Sequence, residues 1–165
     1  MKLKHIALSA SVLLLAACGG SDEDDDDGGG SGADECGVVV DIGLNSSTAG
    51  RLESGDCRIV DLNIDSSDVS LADEYRIVVP TTRPVTIVMR SSDVDAFLAV
   101  FNSTQSCTLG GCGIAQFVNF DDDSGGGLDA LISMDLAAGT YIVVANTATV
   151  NSTQAGYYTL TVSSP

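Results

Sequence analysis

Phe117-Val118-Asn119-Phe120-Asp121-Asp122-Asp123-Ser124-Gly125-Gly126-Gly127, running on into Leu128–Leu136, reads as a strand, a tight acidic turn and a second strand. Leu128, Ala130, Ile132, Met134 and Leu136 alternate with Asp129, Leu131, Ser133 and Asp135. A period of two suits a strand with one buried face. The three glycines supply positive φ angles for a tight turn. Three adjacent carboxylates repel one another unless they face water or share a cation. The stretch predicts a β-hairpin around which the rest of the chain packs as further strands.

Outward from it the same period recurs. Val38–Ile42 predicts a short first strand and Gly43–Gly50 a loop. Arg51-Leu52-Glu53 enters a strand that ends at the turn Ser54-Gly55-Asp56. Val60, Leu62 and Ile64 alternate as an edge strand or an ordered loop. Tyr75, Ile77 and Val79 alternate before Pro80, as do Val85, Ile87 and Met89, and then Ala96, Leu98 and Val100. Ile114–Phe120 precedes the acidic turn. Tyr141–Ala145 follows the turn Ala138-Gly139-Thr140, and Tyr158, Leu160 and Val162 close the series. No amphipathic helix interrupts these strands after the N-terminal segment. Short strands with frequent turns define an all-β protein, with two antiparallel sheets face to face or closed as a barrel.

The N-terminus has a different character. Met1-Lys2-Leu3-Lys4-His5 is basic, Ile6–Ala17 is apolar and too short to span a bilayer, and Leu15-Ala16-Ala17-Cys18 resembles the lipobox of bacterial lipoproteins. That resemblance implies cleavage after residue 17 and acylation of Cys18, a lipid anchor in the membrane. Gly19 after the cysteine resembles lipoproteins passed on to the outer membrane, with the domain on its periplasmic or cell-surface face. Gly19–Gly32 (GGSDEDDDDGGGSG) holds six consecutive acids between glycine runs and nothing apolar, so it predicts a self-repelling linker. Extended, residues 18–35 reach ~60 Å at ~3.3 Å per residue. The expected organisation is a signal peptide at 1–17, a lipidated linker at 18–35 and one domain at 36–165.

The full chain carries a formal −16. From Cys18 onward five arginines stand against 23 acids, a formal −18, with no lysine and no histidine. Nucleic acid and anionic lipid surfaces are repelled by such a chain, and divalent cations are attracted. Without histidine, Ser-His-Asp and Cys-His chemistry is excluded downstream of Cys18. The domain cysteines Cys36, Cys57, Cys107 and Cys112 are even in number, which suits two disulfides in an exported protein. Three pairings are open, with Cys36–Cys57 and Cys107–Cys112 nearest in sequence. Their spacing is poor for a four-cysteine zinc knuckle.

Several pieces fall in a recognisable order: Gly50-Arg51-Leu52, Gly55-Asp56-Cys57, Asp73-Glu74-Tyr75-Arg76-Ile77 and Val85–Ser92. Asp93-Val94-Asp95-Ala96-Phe97-Leu98, Asn119–Asp123, Ala138-Gly139-Thr140-Tyr141 and Gly156-Tyr157-Tyr158-Thr159-Leu160 follow. Together, over about residues 48–164, they resemble the bacterial pre-peptidase C-terminal (PPC) domain. The resemblance implies a jelly-roll-like antiparallel β-sandwich of about eight strands, usually a non-catalytic appendage of secreted peptidases. Related collagenase modules are calcium-assisted and bind substrate. The expectation here is a lipid-anchored module standing alone, without a peptidase domain.

Asp93, Asp95, Asp121, Asp122 and Asp123 are the candidate metal ligands, because calcium takes six to eight oxygens from carboxylates and turn carbonyls. The competing expectation is that these aspartates cap turns. No catalytic residue is assigned. Phe97, Phe101, Phe117, Tyr141 and Tyr157 are the aromatic candidates for a sugar platform. The expected function is a monomeric, non-catalytic envelope module that binds protein or polysaccharide, with calcium as a structural ion. The alternative is a ligand-free coat lipoprotein, and behind it a secreted hydrolase or protease inhibitor. An exposed concave sheet lined with tyrosine and arginine would favour binding; a uniformly acidic polar surface would favour the coat.

Overall fold

The computed structural model describes residues 39–62, 64–103 and 117–165. The signal segment, Cys18, the acidic linker, Cys36, Cys107 and Cys112 lie outside the described residues. The described chain is all strand and turn. The strands are β1 (Val39–Asp41), β2 (Ser46–Leu52), β3 (Cys57–Arg58), β4 (Leu71–Val79), β5 (Arg83–Arg90), β6 (Ala96–Asn102), β7 (Phe117–Asp121), β8 (Ala130–Leu136), β9 (Gly139–Thr147) and β10 (Gly156–Ser163).

They form two sheets. One runs β1-β4-β9-β6-β7, with β3 also on β4; the other runs β2-β10-β5-β8. Without β1 and β3, the remaining eight strands follow the jelly-roll order, four to a sheet. The two short strands lie on one edge of β4, and β1 makes the single parallel pairing among the described strands. Covering an edge in this way blunts its unpaired N–H and C=O groups.

The core lies between the sheets. Tyr75, Ile77 and Val79 of β4 and Val143 and Ala145 of β9 meet Leu52 of β2, Ile87 and Met89 of β5, and Leu160 and Val162 of β10. A second apolar cluster sits on the outer face of the larger sheet, where Ile59 and Leu62 cover Ala72, Phe101, Ile142 and Val144. β9 is therefore buried on both faces. The alternation Val60, Leu62, Ile64 is the ordered loop of the two options, part of this cover and not a ladder strand. Cys57 is buried beside it and disulfide-bonded.

Two expectations change. Residues 46–50, read as loop, belong to β2, because their pairing with β10 from Ser46↔Val162 to Leu52↔Gly156 holds them extended despite weak local signals. The predicted hairpin is not one: β7 pairs with β6 in the larger sheet and β8 with β5 in the smaller. The acidic turn crosses from the edge of one sheet to the edge of the other. Leu128 stays outside β8 and is exposed, while Ala130, Ile132 and Leu136 face the core as expected.

Candidate functional site

The acidic turn is built around backbone bonds. Gly125 N–H donates to Asp129 C=O at 2.8 Å and Gly126 N–H to Asp123 C=O at 3.1 Å. Of its three glycines, Gly126 and Gly127 take positive φ, at 93° and 72°, and Gly125 does not. Asp121 Oδ2 accepts the N–H of Ser124 at 3.0 Å and of Leu131 at 2.7 Å, so one carboxylate ties the end of β7 to the start of β8. Desolvation raises its pKa, but those bonds outweigh it and hold the group below the usual aspartate value. Asp122 Oδ1 accepts Asp123 N–H at 3.0 Å. The Asp123 carboxyl is pushed up, by desolvation first and then by the charges of Asp122, Asp95 and Asp121. Asp95 Oδ1 is buried and makes no hydrogen bond among the described residues.

The structure thus brings Asp95, Asp121, Asp122 and Asp123 to one end of the sandwich. Asp93 belongs to a different arrangement. Its Oδ2 accepts Tyr157 N–H at 3.0 Å and its Oδ1 accepts the Ser92 hydroxyl at 3.1 Å. Ser91 Oγ donates to Tyr157 C=O at 2.6 Å and accepts the N–H groups of Asp93 and Val94, both at 3.0 Å. Asp93 and Ser91 therefore hold both backbone groups of Tyr157. Among the described residues no set of three His, Cys, Asp or Glu side chains is gathered closely enough to hold a metal ion. The residues fit calcium only as an acidic end that must draw inward, with the orphaned Asp95 oxygen as its one buried unsatisfied acceptor.

Tyr157 points out from the smaller sheet and is 58% exposed. The Arg51 guanidinium lies 5.1 Å from its ring centroid and pairs with Glu53 at 2.8 Å. Arg90 stands on the same face, 3.4 Å from Asp129. Farther along the same face, Ser47 and Thr161 share a bond of 2.7 Å, and Thr86 and Ser133 one of 3.0 Å. No described element covers this face. Of the other aromatic candidates, Phe101 and Tyr141 are buried and excluded as platforms, because each fills a core cluster. Phe97 is half-buried and Phe117 is exposed.

The sequence reading missed a polar group inside the core. Tyr158 Oη donates to Asp73 Oδ2 at 2.5 Å, and the Tyr75 and Tyr158 hydroxyls lie 2.7 Å apart. All three residues are buried. Burial, then the Asp73 charge, drives the Tyr158 phenol far above its ordinary pKa. The available signal was phase: Asp73 shares the inward parity of Leu71, Tyr75, Ile77 and Val79.

No family model matches the chain, and no curated protein matches it in sequence. Solved structures do. The pre-peptidase C-terminal domain of a Bacillus anthracis collagenase is 16% identical, with 76% of this chain and 95% of that one covered and a TM-score of 0.54. Aeromonas hydrophila PliG, a periplasmic inhibitor of g-type lysozyme, is 14% identical over 77% and 97%, with a TM-score of 0.50. CorA, a surface-associated copper-binding protein of Methylomicrobium album BG8, is 12% identical over 78% and 100%, at 0.49. The strand order and the likeness to the collagenase domain define the class of fold, a PPC-like jelly-roll sandwich.

Proposed function

We propose that this chain is a non-catalytic binding module of the bacterial cell envelope, anchored by lipid at Cys18, whose ligand surface is the outer face of the four-stranded sheet. The observation that carries the reading is the exposed Tyr157 ring under Arg51, on a face that no described element covers and that also carries Arg90 beside Thr159, with Ser47, Thr161, Thr86 and Ser133 farther along it. An aromatic ring is a platform for the apolar face of a sugar, the guanidinium groups beside it bond that sugar's hydroxyls, and the hydroxyls farther along the face meet later residues of an extended chain. Polysaccharide suits this face better than a flat apolar protein surface. A neutral polysaccharide suits it better than an acidic one, since the molecule as a whole repels anions. The likeness to an accessory domain and to an inhibitor is compatible with binding without catalysis.

Calcium is proposed as a structural ion at the other site, with Asp95, Asp121, Asp122 and Asp123 as its carboxylates. Support comes from the crowding of like charges and the orphaned Asp95 oxygen.

Affinity electrophoresis against a panel of neutral and acidic envelope polysaccharides tests the main reading. Retardation by a neutral glycan, weakened about tenfold or more in Tyr157→Ala, is the expected result. Retardation by none of them would shift the reading to a ligand-free coat module.

A further inference from the structure

From β9 across β6 to β7 the outer face of the larger sheet is largely apolar, and the described residues cover only part of it. The loop with Ile59 and Leu62 lies over the β4–β9 side. On the β6–β7 side three rings are left: Phe97 half-buried, Phe117 46% exposed and Phe120 56% exposed. Phe97 and Phe120 are stacked, with centroids 5.8 Å apart and planes at 22°, and Phe117 lies 5.9 Å from Phe120.

A backbone irregularity makes this surface. Phe117 and Phe120 are three residues apart, and a regular strand would place them on opposite faces. The β6–β7 register shifts between Val100 and Phe101, so that Phe101 faces Phe117 while Val100 faces Asn119. The extra residue, Val118, turns inward onto the core, and both phenylalanines emerge on the outer face. A bulge on an edge strand re-aims side chains in this manner. Stability alone does not call for moving an aromatic ring from a buried face to a solvated one.

Charge identifies what this surface suits. Asp95 precedes Phe97 by two residues, and Asp122 and Asp123 follow Phe120 directly after Asp121. The β6–β7 pairing of Leu98 with Asp121 and of Ala99 with Phe120 puts the Asp95 start of β6 and the Asp122–Asp123 end of β7 at the same corner as the Phe97–Phe120 stack. A second copy of the chain would set two acidic ends together on a molecule of formal charge −16. An anionic lipid surface would meet the same repulsion. A basic partner gains on both counts: its lysines and arginines meet the aspartates, and arginine also stacks on aromatic rings.

We propose that the Phe97–Phe117–Phe120 stack, rimmed by Asp95, Asp122 and Asp123, is a docking surface for a basic protein that presents apolar side chains among its cationic ones. It is separate from the Tyr157 face and rests on neither the polysaccharide nor the calcium reading; calcium would compete for the three aspartates, so the partner is tested in chelator.

The test uses the full chain and two labelled synthetic peptides of equal charge, one alternating lysine with leucine and the other lysine with serine, followed by fluorescence anisotropy. The lysine–leucine peptide is expected to bind at least about tenfold more tightly. Phe117→Ser with Phe120→Ser should erase that preference and leave the weak, salt-sensitive binding of the lysine–serine peptide unchanged. Phe120→Ser alone, at the more exposed ring, should remove most of it, and an unchanged unfolding temperature would show that the fold is intact. Tyr157→Ala should keep the preference, which separates this surface from the other. Equal affinity for the two peptides, a preference that survives the double substitution, or capture of anionic vesicles in place of the peptide would each overturn the proposal.

Discussion

At the scale of single residues the most constrained group is Tyr158. Its ring crosses Tyr75 edge-on, at 6.5 Å and 88°, and its hydroxyl bonds Asp73 between the sheets. Gly50 leaves room for it: a Cβ there would lie 2.2 Å from the Tyr158 ring. Tyr158→Phe keeps the ring and removes the donor to a buried carboxylate, so it should lower unfolding stability by about 1–3 kcal/mol in urea melts. Gly50→Ala should cost a similar ~1–3 kcal/mol by overpacking. Two aspartates should show opposite pH behaviour. Asp121 is held below the ordinary 3.8, so its stabilisation is complete above that value and is lost as pH falls through the lower folded one. Asp123 is held above 3.8, so its repulsion burdens the fold at neutral pH and vanishes once the group is protonated. Asp123→Asn should therefore raise the melting temperature at pH 7 in low salt and chelator. The gain should fade below about pH 4. A constant gain across that range would mean that charge is not its cause.

Among the elements, the passage from β7 to β8 carries the unusual burden. It links the open edges of two sheets that do not otherwise pair at that point. The Asp121 carboxylate, bonded to Ser124 and Leu131 N–H groups, is what fastens it. Asp121→Ala should speed amide exchange at Leu131 while leaving the amides of β10, between β2 and β5, protected. Uniform acceleration through both sheets would show that the crossing is part of the global unfolding unit. The bulge at Val118 belongs to the same element and decides which face its phenylalanines occupy.

The whole molecule is dominated by its charge. Repulsion among the acids weakens the compact state, and salt screens it. Raising the ionic strength should therefore raise the melting temperature. Calcium should do so at far lower concentration if it occupies the acidic end, saturably and only above chelator. With Asp122→Ala and Asp123→Ala the calcium increment should disappear while the salt effect persists. Equal increments with calcium and with an equivalent ionic strength of sodium chloride would reduce those aspartates to turn residues.

Sequence alone determined what depends on near neighbours. The alternation at Ala130, Ile132 and Leu136 marks a strand and its inward face, because pleating is a local property with a period of two. The lack of histidine after His5 removes whole classes of catalysis without any coordinates. The ordered PPC-like pieces carry the sandwich, and Tyr157 was one of five candidate aromatics that the sequence could not sort into core and surface. Which strands pair was decided only in three dimensions. The glycine-rich turn at 124–127 suits a hairpin as well as an arch between sheets, and the choice rests on contacts with β5 and β6, distant in sequence. Tertiary structure likewise set Asp93 against the backbone N–H of Tyr157 and placed Asp73 against Tyr158. It also set Phe117 beside Phe120, since a bulge breaks the parity on which sequence reading depends.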